Sequence, residues 1–245
     1  MQVFGKSDIG LKRTSNQDCF DYENINENLL WAVVCDGMGG VNGGDIASNL
    51  AVNSIREILT QNYTEGLLPV DVENLLKKAI QKANFEIFSA AQNDNNLSGM
   101  GTTIVLVAIF YDKIHIAHIG DSRAYLIRQG NIKQLTVDHS VVQEMINEGE
   151  ITHEEAKRHP QKNIITRALG ISKNVDIDYS IETKKPTDSI IICTDGLTNY
   201  FDQNEILDYV KNKKNNQQLV DNFIFTANER GGNDNITVVI VGEGL

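Results

Sequence analysis

The sequence is short of proline, of cysteine and of positive charge, and each scarcity excludes something. Only Pro69, Pro160 and Pro186 occur in 245 residues, and no proline-rich or low-complexity stretch interrupts the chain. With no linker and no internal repeat, residues 1–245 read as one large domain rather than two small ones. Cys19, Cys35 and Cys193 cannot all pair with one another and none stands in a CxxC spacing. They are expected to be small buried hydrophobes in a reducing cytoplasm. No apolar run approaches the roughly 18 to 20 residues that span a bilayer. The opening MQVFGKSDIGLKR lacks the apolar stretch of a signal peptide. The 22 basic residues are outnumbered by 33 acidic ones, for a formal charge of −11. Nonspecific nucleic-acid binding needs a basic face, so that class is disfavoured. A site made of carboxylates is compatible with the balance.

What is present is a set of short apolar runs. LLWAVVC (29–35), TTIVLVAIF (102–110), IHIAHI (114–119), AYLI (124–127), SIIIC (189–193) and ITVVIV (236–241) read as strands, with a shorter one near 2–7. Helical spacing of apolar residues covers about 43–61 and 71–91, with shorter helices expected at 138–148, 153–158, 203–212 and 216–229. The connections YDK (111–113) and GDSR (120–123) are too short for crossover helices, so that part of the sheet is antiparallel. The expectation is an α+β layered domain. The polar, interrupted segment from about 145 to 165 is the candidate flap, and the Asn-rich patches at 93–96 and 212–218 read as helix-end loops.

Five of the nineteen glycines fall within residues 37–44, directly behind Asp36. A hairpin turn uses one or two. Asp195 likewise closes a strand and is followed by Gly196, while Asp121 sits in the turn GDSR, Asp234 opens the last strand and Asp18 follows the first. Singly, each Asp-Gly pair is a common turn. As a group, carboxylates at strand ends make a cluster of hard oxygen ligands suited to Mg²⁺ or Mn²⁺. Without a cation such a cluster repels itself and takes up protons. Zinc fits less well, because His115 and His118 are three apart on a strand and face opposite ways. Two cations about 3.5–4 Å apart activate a bridging water and stabilise in-line displacement at phosphorus. Arg13 could fork onto a phosphate, although alone it reads as a solvated surface charge.

SDIGLKRTSNQD (7–18), VVCDGMGG (33–40), GMGTT (99–103), HIGDSRAYLI (118–127), LTVDHS (135–140), NIITRALG (163–170), IIICTDGLTN (190–199) and GGNDNITVVIV (231–241) resemble, in order and spacing, the metal-dependent protein phosphatases of the PPM, or PP2C, family. The bacterial serine/threonine phosphatases partnered with Hanks-type kinases look nearest, and the resemblance runs from about residue 3 to 242. It implies an α-β-β-α sandwich of two antiparallel sheets flanked by helix pairs. It also implies hydrolysis of phosphoserine and phosphothreonine by a hydroxide bridging two Mn²⁺ or Mg²⁺ ions, with a third, looser ion. On that resemblance Asp36 bridges two metals, the Gly37 carbonyl binds one, and Asp195 and Asp234 complete the direct ligands. Asp18 orients metal-bound water, Asp121 holds the third ion, Arg13 binds the substrate phosphate, and residues 141–165 form the flap. Phosphorylated proteins and a cognate kinase are the implied partners of a monomeric, cytoplasmic enzyme, with no nucleic acid and no membrane. Two positions depart from the pattern. Gln17 stands where many members have glutamate. Met38 stands where some have a histidine acting as general acid, and methionine has no proton to give. His139 is read as structural. Neither rival fits as well: a dead relative would lack one of Asp36, Asp195 and Asp234, and a two-metal nuclease fits poorly with the −11 charge. A cysteine phosphatase would need arginine six positions after its cysteine, where this chain has Ile25, Val41 and Asn199.

Overall fold

Every apolar run of the sequence becomes a strand in the computed structural model, which describes residues 1–63, 66–212 and 215–242, the side chains of 40–42 excepted. One sheet runs in the order β1 (Gln2–Asp8), β11 (Ile236–Gly242), β10 (Ser189–Cys193), β7 (Arg123–Arg128), β8 (Asn131–Gln134). The other runs β2 (Asp18–Asn26), β3 (Leu29–Met38), β5 (Ile104–Phe110), β6 (Lys113–Ile119), β9 (Asp178–Thr183). The two-residue β4 (Gly101–Thr102) pairs with the end of β3. All of these pairings are antiparallel.

Alternation along the strands sets the layers. Trp31, Val33 and Cys35 of β3 face α1 (Gly40–Asn62) and α2 (Pro69–Asn93), packing with Ala51, Ile55, Ile80 and Ala83. The intervening Leu30, Ala32 and Val34 face the other sheet and meet Ile190, Ile192, Val239 and Val241. On the far side, Ile191, Cys193, Val238 and Ile240 pack on α6 (Gln203–Lys211) and α7 (Asn216–Glu229) through Ile206, Val210, Phe223 and Ile224. The layers are therefore helix, sheet, sheet, helix, as expected. Strands buried on both faces read as unbroken apolar runs, which is why the central ones stand out in the sequence.

The strands that the apolar pattern did not predict are β2, β8 and β9, and each lies at a sheet edge. Their residues, in DCFDYENIN, NIKQ and DYSIET, are half-buried or exposed except Asp18, and the sequences carry little apolar signal. The 102–110 run is broken at Thr103, whose N–H turns to donate to Asp36 O at 2.9 Å. The first helix starts at Gly40 rather than 43, entered through Gly39 at φ 122°, a conformation open to glycine. The polar middle of the chain forms α3 (Val141–Asn147) and α4 (His153–Ala156), and α5 (Asp195–Thr198) is a single turn. In the Asn-rich patch at 212–218, Lys213 and Lys214 lie outside the described residues.

Candidate metal centre

Antiparallel pairing gathers the acidic residues at one end of the sandwich. The start of β2 meets the end of β3, so Asp18 and Asp36 are direct cross-strand neighbours. The end of β10 lies beside the start of β11, which brings Asp195 towards Asp234. The turn from β6 to β7 passes from one sheet to the other and carries Asp121. Asp195 itself opens α5 rather than closing β10, and Asp234 precedes β11 by two residues.

The backbone around these acids is tightly fixed. The Asp36 N–H donates to Thr103 Oγ1 at 3.0 Å, and Thr103 Oγ1 lies 2.8 Å from Ser122 Oγ in the Asp121 turn. Gly37 is required by close approach: a Cβ there would lie 2.0 Å from Gly44 O and 2.6 Å from Gln17 O. The glycines behind Asp36 thus seat the first turn of α1 against the end of β3. At Gly196 a Cβ would lie 1.9 Å from Asn235 O.

Asn235 ties the segment before β2 into the site. Its Oδ1 accepts from Gln17 N at 2.8 Å, and its Nδ2 donates to Ile9 O at 2.9 Å and Ser15 O at 3.0 Å. Arg13 projects from this segment and donates through Nη2 to Asp234 Oδ2 at 2.8 Å. That hydrogen bond, with the charges of Asp234, Asp36 and Asp195, raises the Arg13 pKa. Asp18 is buried, and its Oδ2 faces the hydroxyls of Thr194 at 2.9 Å and Thr237 at 2.7 Å. Asn235, Thr194 and Thr237 were not singled out in the sequence. The signal for them was there only in retrospect, as hydrogen-bonding residues beside the acids in CTDG and NDNITV.

The electrostatics of these carboxyls are unfavourable without a cation. Burial pushes Asp18 up to about 7 against the easing of its two threonine hydroxyls, and burial with Asp195 and Asp138 nearby pushes Asp121 up to about 7. Asp36 is raised well above the carboxylate range by burial, then by Asp18, Asp195, Asp121 and Asp234. Asp195 is raised by burial and by Asp234. Asp18 Oδ1 and Asp195 Oδ1 are buried with no hydrogen-bond partner. Clustered, partly unpartnered carboxylate oxygens are the donor set of hard divalent cations, so the residues fit Mg²⁺ or Mn²⁺.

Next to this centre a cleft of about 770 Å³ is lined by Asp121, Asp195, Asn199, Arg123, Gln143 and Lys162, among others. The 141–165 segment borders it through α3 and α4. A separate trio, His118, His139 and Asp178, brings one potential ligand atom from each residue within 4.8 Å of the others. Cys19, Cys35 and Cys193 are all free thiols, and burial raises the pKa of each. Among the described residues no helix is long and apolar enough to cross a membrane.

Comparisons with known proteins point to one family. The family model for protein phosphatase 2C matches residues 5–236. A serine/threonine phosphatase stp of Listeria welshimeri is 39% identical over 240 residues, covering 98% of this chain and 95% of the relative. The crystal structure of serine/threonine phosphatase Stp1 from Staphylococcus aureus superposes with a TM-score of 0.93 at 33% identity, over 99% of this chain and 94% of that one. The catalytic domain of the serine threonine protein phosphatase PstP, solved with 2 manganese ions, gives a TM-score of 0.82 at 30% identity over 98% and 96% of the two chains.

Proposed function

The chain belongs to the protein phosphatase 2C family, as a protein-serine/threonine phosphatase dependent on divalent metal, and on that premise we propose how its own residues carry the reaction. Residues 1–245 act as one phosphatase domain that hydrolyses phosphoserine and phosphothreonine in proteins. Asp36, the Gly37 carbonyl, Asp195 and Asp234 would hold two Mn²⁺ or Mg²⁺ ions, and Asp121 would help to hold a third. Bound there, such ions would activate a water at neutral pH and neutralise charge on a phosphoryl group, chemistry that would favour direct transfer to water without a phosphoenzyme. The observation that carries the reading is the convergence of five acidic residues at one end of the sandwich, two of them with buried, unpartnered oxygens.

Arg13 holds the phosphate. Its guanidinium already leans over the acids through Asp234 and is half exposed, so it can swing a fork onto incoming phosphoryl oxygens. Asp18 is clamped on one oxygen by Thr194 and Thr237, which leaves Oδ1 to orient water inside the centre. Met38 offers no proton, so the leaving oxygen takes its proton from water. The 141–165 segment is the flap, and it shapes the cleft that receives the residues around the phosphorylated side chain. A cognate Hanks-type kinase and its substrates are the partners of a monomeric enzyme. A cytoplasmic site is supported by the three free thiols.

The test is hydrolysis of a phosphothreonine peptide with and without Mn²⁺, set against a phosphotyrosine peptide and an oligonucleotide. Mn²⁺-dependent cleavage of the phosphothreonine peptide is expected, abolished by EDTA and nearly lost in Asp36→Asn. Chelator-resistant turnover, or an Asp36→Asn enzyme near wild type, refutes the two-metal reading.

A further inference from the structure

The His118, His139 and Asp178 trio has the donor set of a transition-metal site, yet its hydrogen bonds give it another use. The backbone N–H of Gly120 donates to His139 Nδ1 at 3.1 Å. A neutral imidazole that accepts at Nδ1 carries its proton on Nε2, and it is Nε2 that stands 3.3 Å from Asp178 Oδ2. No lone pair is left on that side for a cation. His118 Nε2 is already 2.9 Å from Val137 O, and Arg167 Nη1 donates to Asp178 Oδ1 at 2.8 Å. A guanidinium thus already pairs with the carboxylate a metal would need.

These contacts instead bracket the turn that carries Asp121. His139 N donates to Gly120 O at 2.9 Å while its ring receives Gly120 N–H, so both polar groups of the residue before Asp121 end on His139. On the other flank, Asp138 takes a two-pronged ion pair from Arg123, with contacts of 2.6 to 3.0 Å. The same histidine accepts through its carbonyl from Thr166 N at 2.8 Å, at the base of the 141–165 segment. His118 stacks on its ring at 4.8 Å between centroids. Gly120 has φ 104° and a Cβ there would meet Thr103, so the turn has little freedom of its own once pinned.

We propose that His139 is a positioning residue: through Gly120 it sets where Asp121 presents its carboxylate and couples that carboxylate to the base of the flap. This rests on Asp121 belonging to the metal centre. The ring is buried, so its loss removes packing as well as the acceptor, and two variants of similar polarity separate the effects. His139→Asn can place an oxygen near Nδ1 and still accept from Gly120. His139→Gln places its amide near Nε2, facing Asp178, and loses Gly120.

The test measures Mn²⁺ binding to each protein by the loss of free-ion EPR signal, alongside the Mn²⁺ needed for half-maximal hydrolysis of p-nitrophenyl phosphate. Residues that orient a ligand-bearing group typically change metal affinity about 10- to 100-fold. His139→Gln and His139→Ala are expected to weaken the most loosely held Mn²⁺ about 10-fold, with KM for the aryl phosphate nearly unchanged because Arg13 is untouched. His139→Asn should recover most of the loss. Unchanged Mn²⁺ binding in a folded His139→Gln protein, or an Asn variant as impaired as Gln, overturns the assignment. Asp121→Asn, measured beside them, tests the premise. If Asp121→Asn leaves Mn²⁺ binding unchanged, the premise fails and the assignment with it. If it weakens binding while His139→Gln does not, the role of His139 alone fails.

Discussion

Asn235→Ala is the sharpest test of how the Arg13 segment is held. The amide makes three hydrogen bonds to backbone, at 2.8, 2.9 and 3.0 Å, reaching Gln17, Ile9 and Ser15. Each such bond contributes about 0.5–1.5 kcal/mol net. The two freed carbonyls, of Ile9 and Ser15, belong to exposed residues that water can reach, so the sum is reduced to about 2–3 kcal/mol. For a chain of this size that is a fall in Tm of roughly 5–10 °C. The segment carries Arg13 and runs directly into Asp18, so its loosening also reaches the site. KM for an aryl phosphate is expected to rise about 10-fold, with a smaller effect on kcat, as for a loss of uniform substrate binding. The assay is urea unfolding with Mn²⁺ present, together with steady-state kinetics. Asn235→Ala with the wild-type urea midpoint and unchanged KM would refute the reasoning. A large stability loss with unchanged KM would show that the amide holds the fold without placing Arg13.

Arg13→Ala should raise KM for phosphorylated substrates while leaving the urea midpoint nearly unchanged, because its ion pair with Asp234 is half exposed; an unchanged KM and kcat removes it from phosphate binding. Gly37→Ala would drive a Cβ to 2.0 Å from Gly44 O, backbone against backbone, and should cost about 3 kcal/mol and most activity, read by thermal melting and turnover. Metal-free protein should lose stability as pH rises. Asp18 and Asp121 are held at about 7 in the fold against an ordinary carboxylate value near 4, so the folded state binds more protons between those limits. Their contribution is full below about pH 4 and lost as pH passes about 7. The urea midpoint in EDTA should therefore fall from acid to neutral pH, and Mn²⁺ should restore it at the alkaline end. A midpoint that is flat or rises with pH in EDTA contradicts this.

How much of this was legible differs by residue. The central strands announced themselves because both faces are buried, whereas β2, β8 and β9 did not because an edge strand needs only one apolar face. Asp36, Asp195 and Asp121 drew attention by standing beside glycine at strand ends. Asn235, Thr194 and Thr237 were missed because an asparagine or threonine in a loop has many uses, and only its distant partners select one. Asn235 acts on Ile9, Ser15 and Gln17, more than two hundred positions away.

The sequence by itself determined which segments become core strands and helices, since unbroken apolar runs and helical apolar spacing must be buried wherever the chain goes. It also determined the chemistry available, as carboxylates at strand ends, an arginine before the second strand and a methionine where some relatives hold a proton donor. Tertiary structure alone decided that these acids lie together. Asp18 meets Asp36 and Asp195 approaches Asp234 because antiparallel register places strand starts beside strand ends. It also decided the burial that raises their pKa values, and the tautomer and partners of His139, which no local pattern encodes because they depend on Gly120 in the β6–β7 turn and Asp178 on β9.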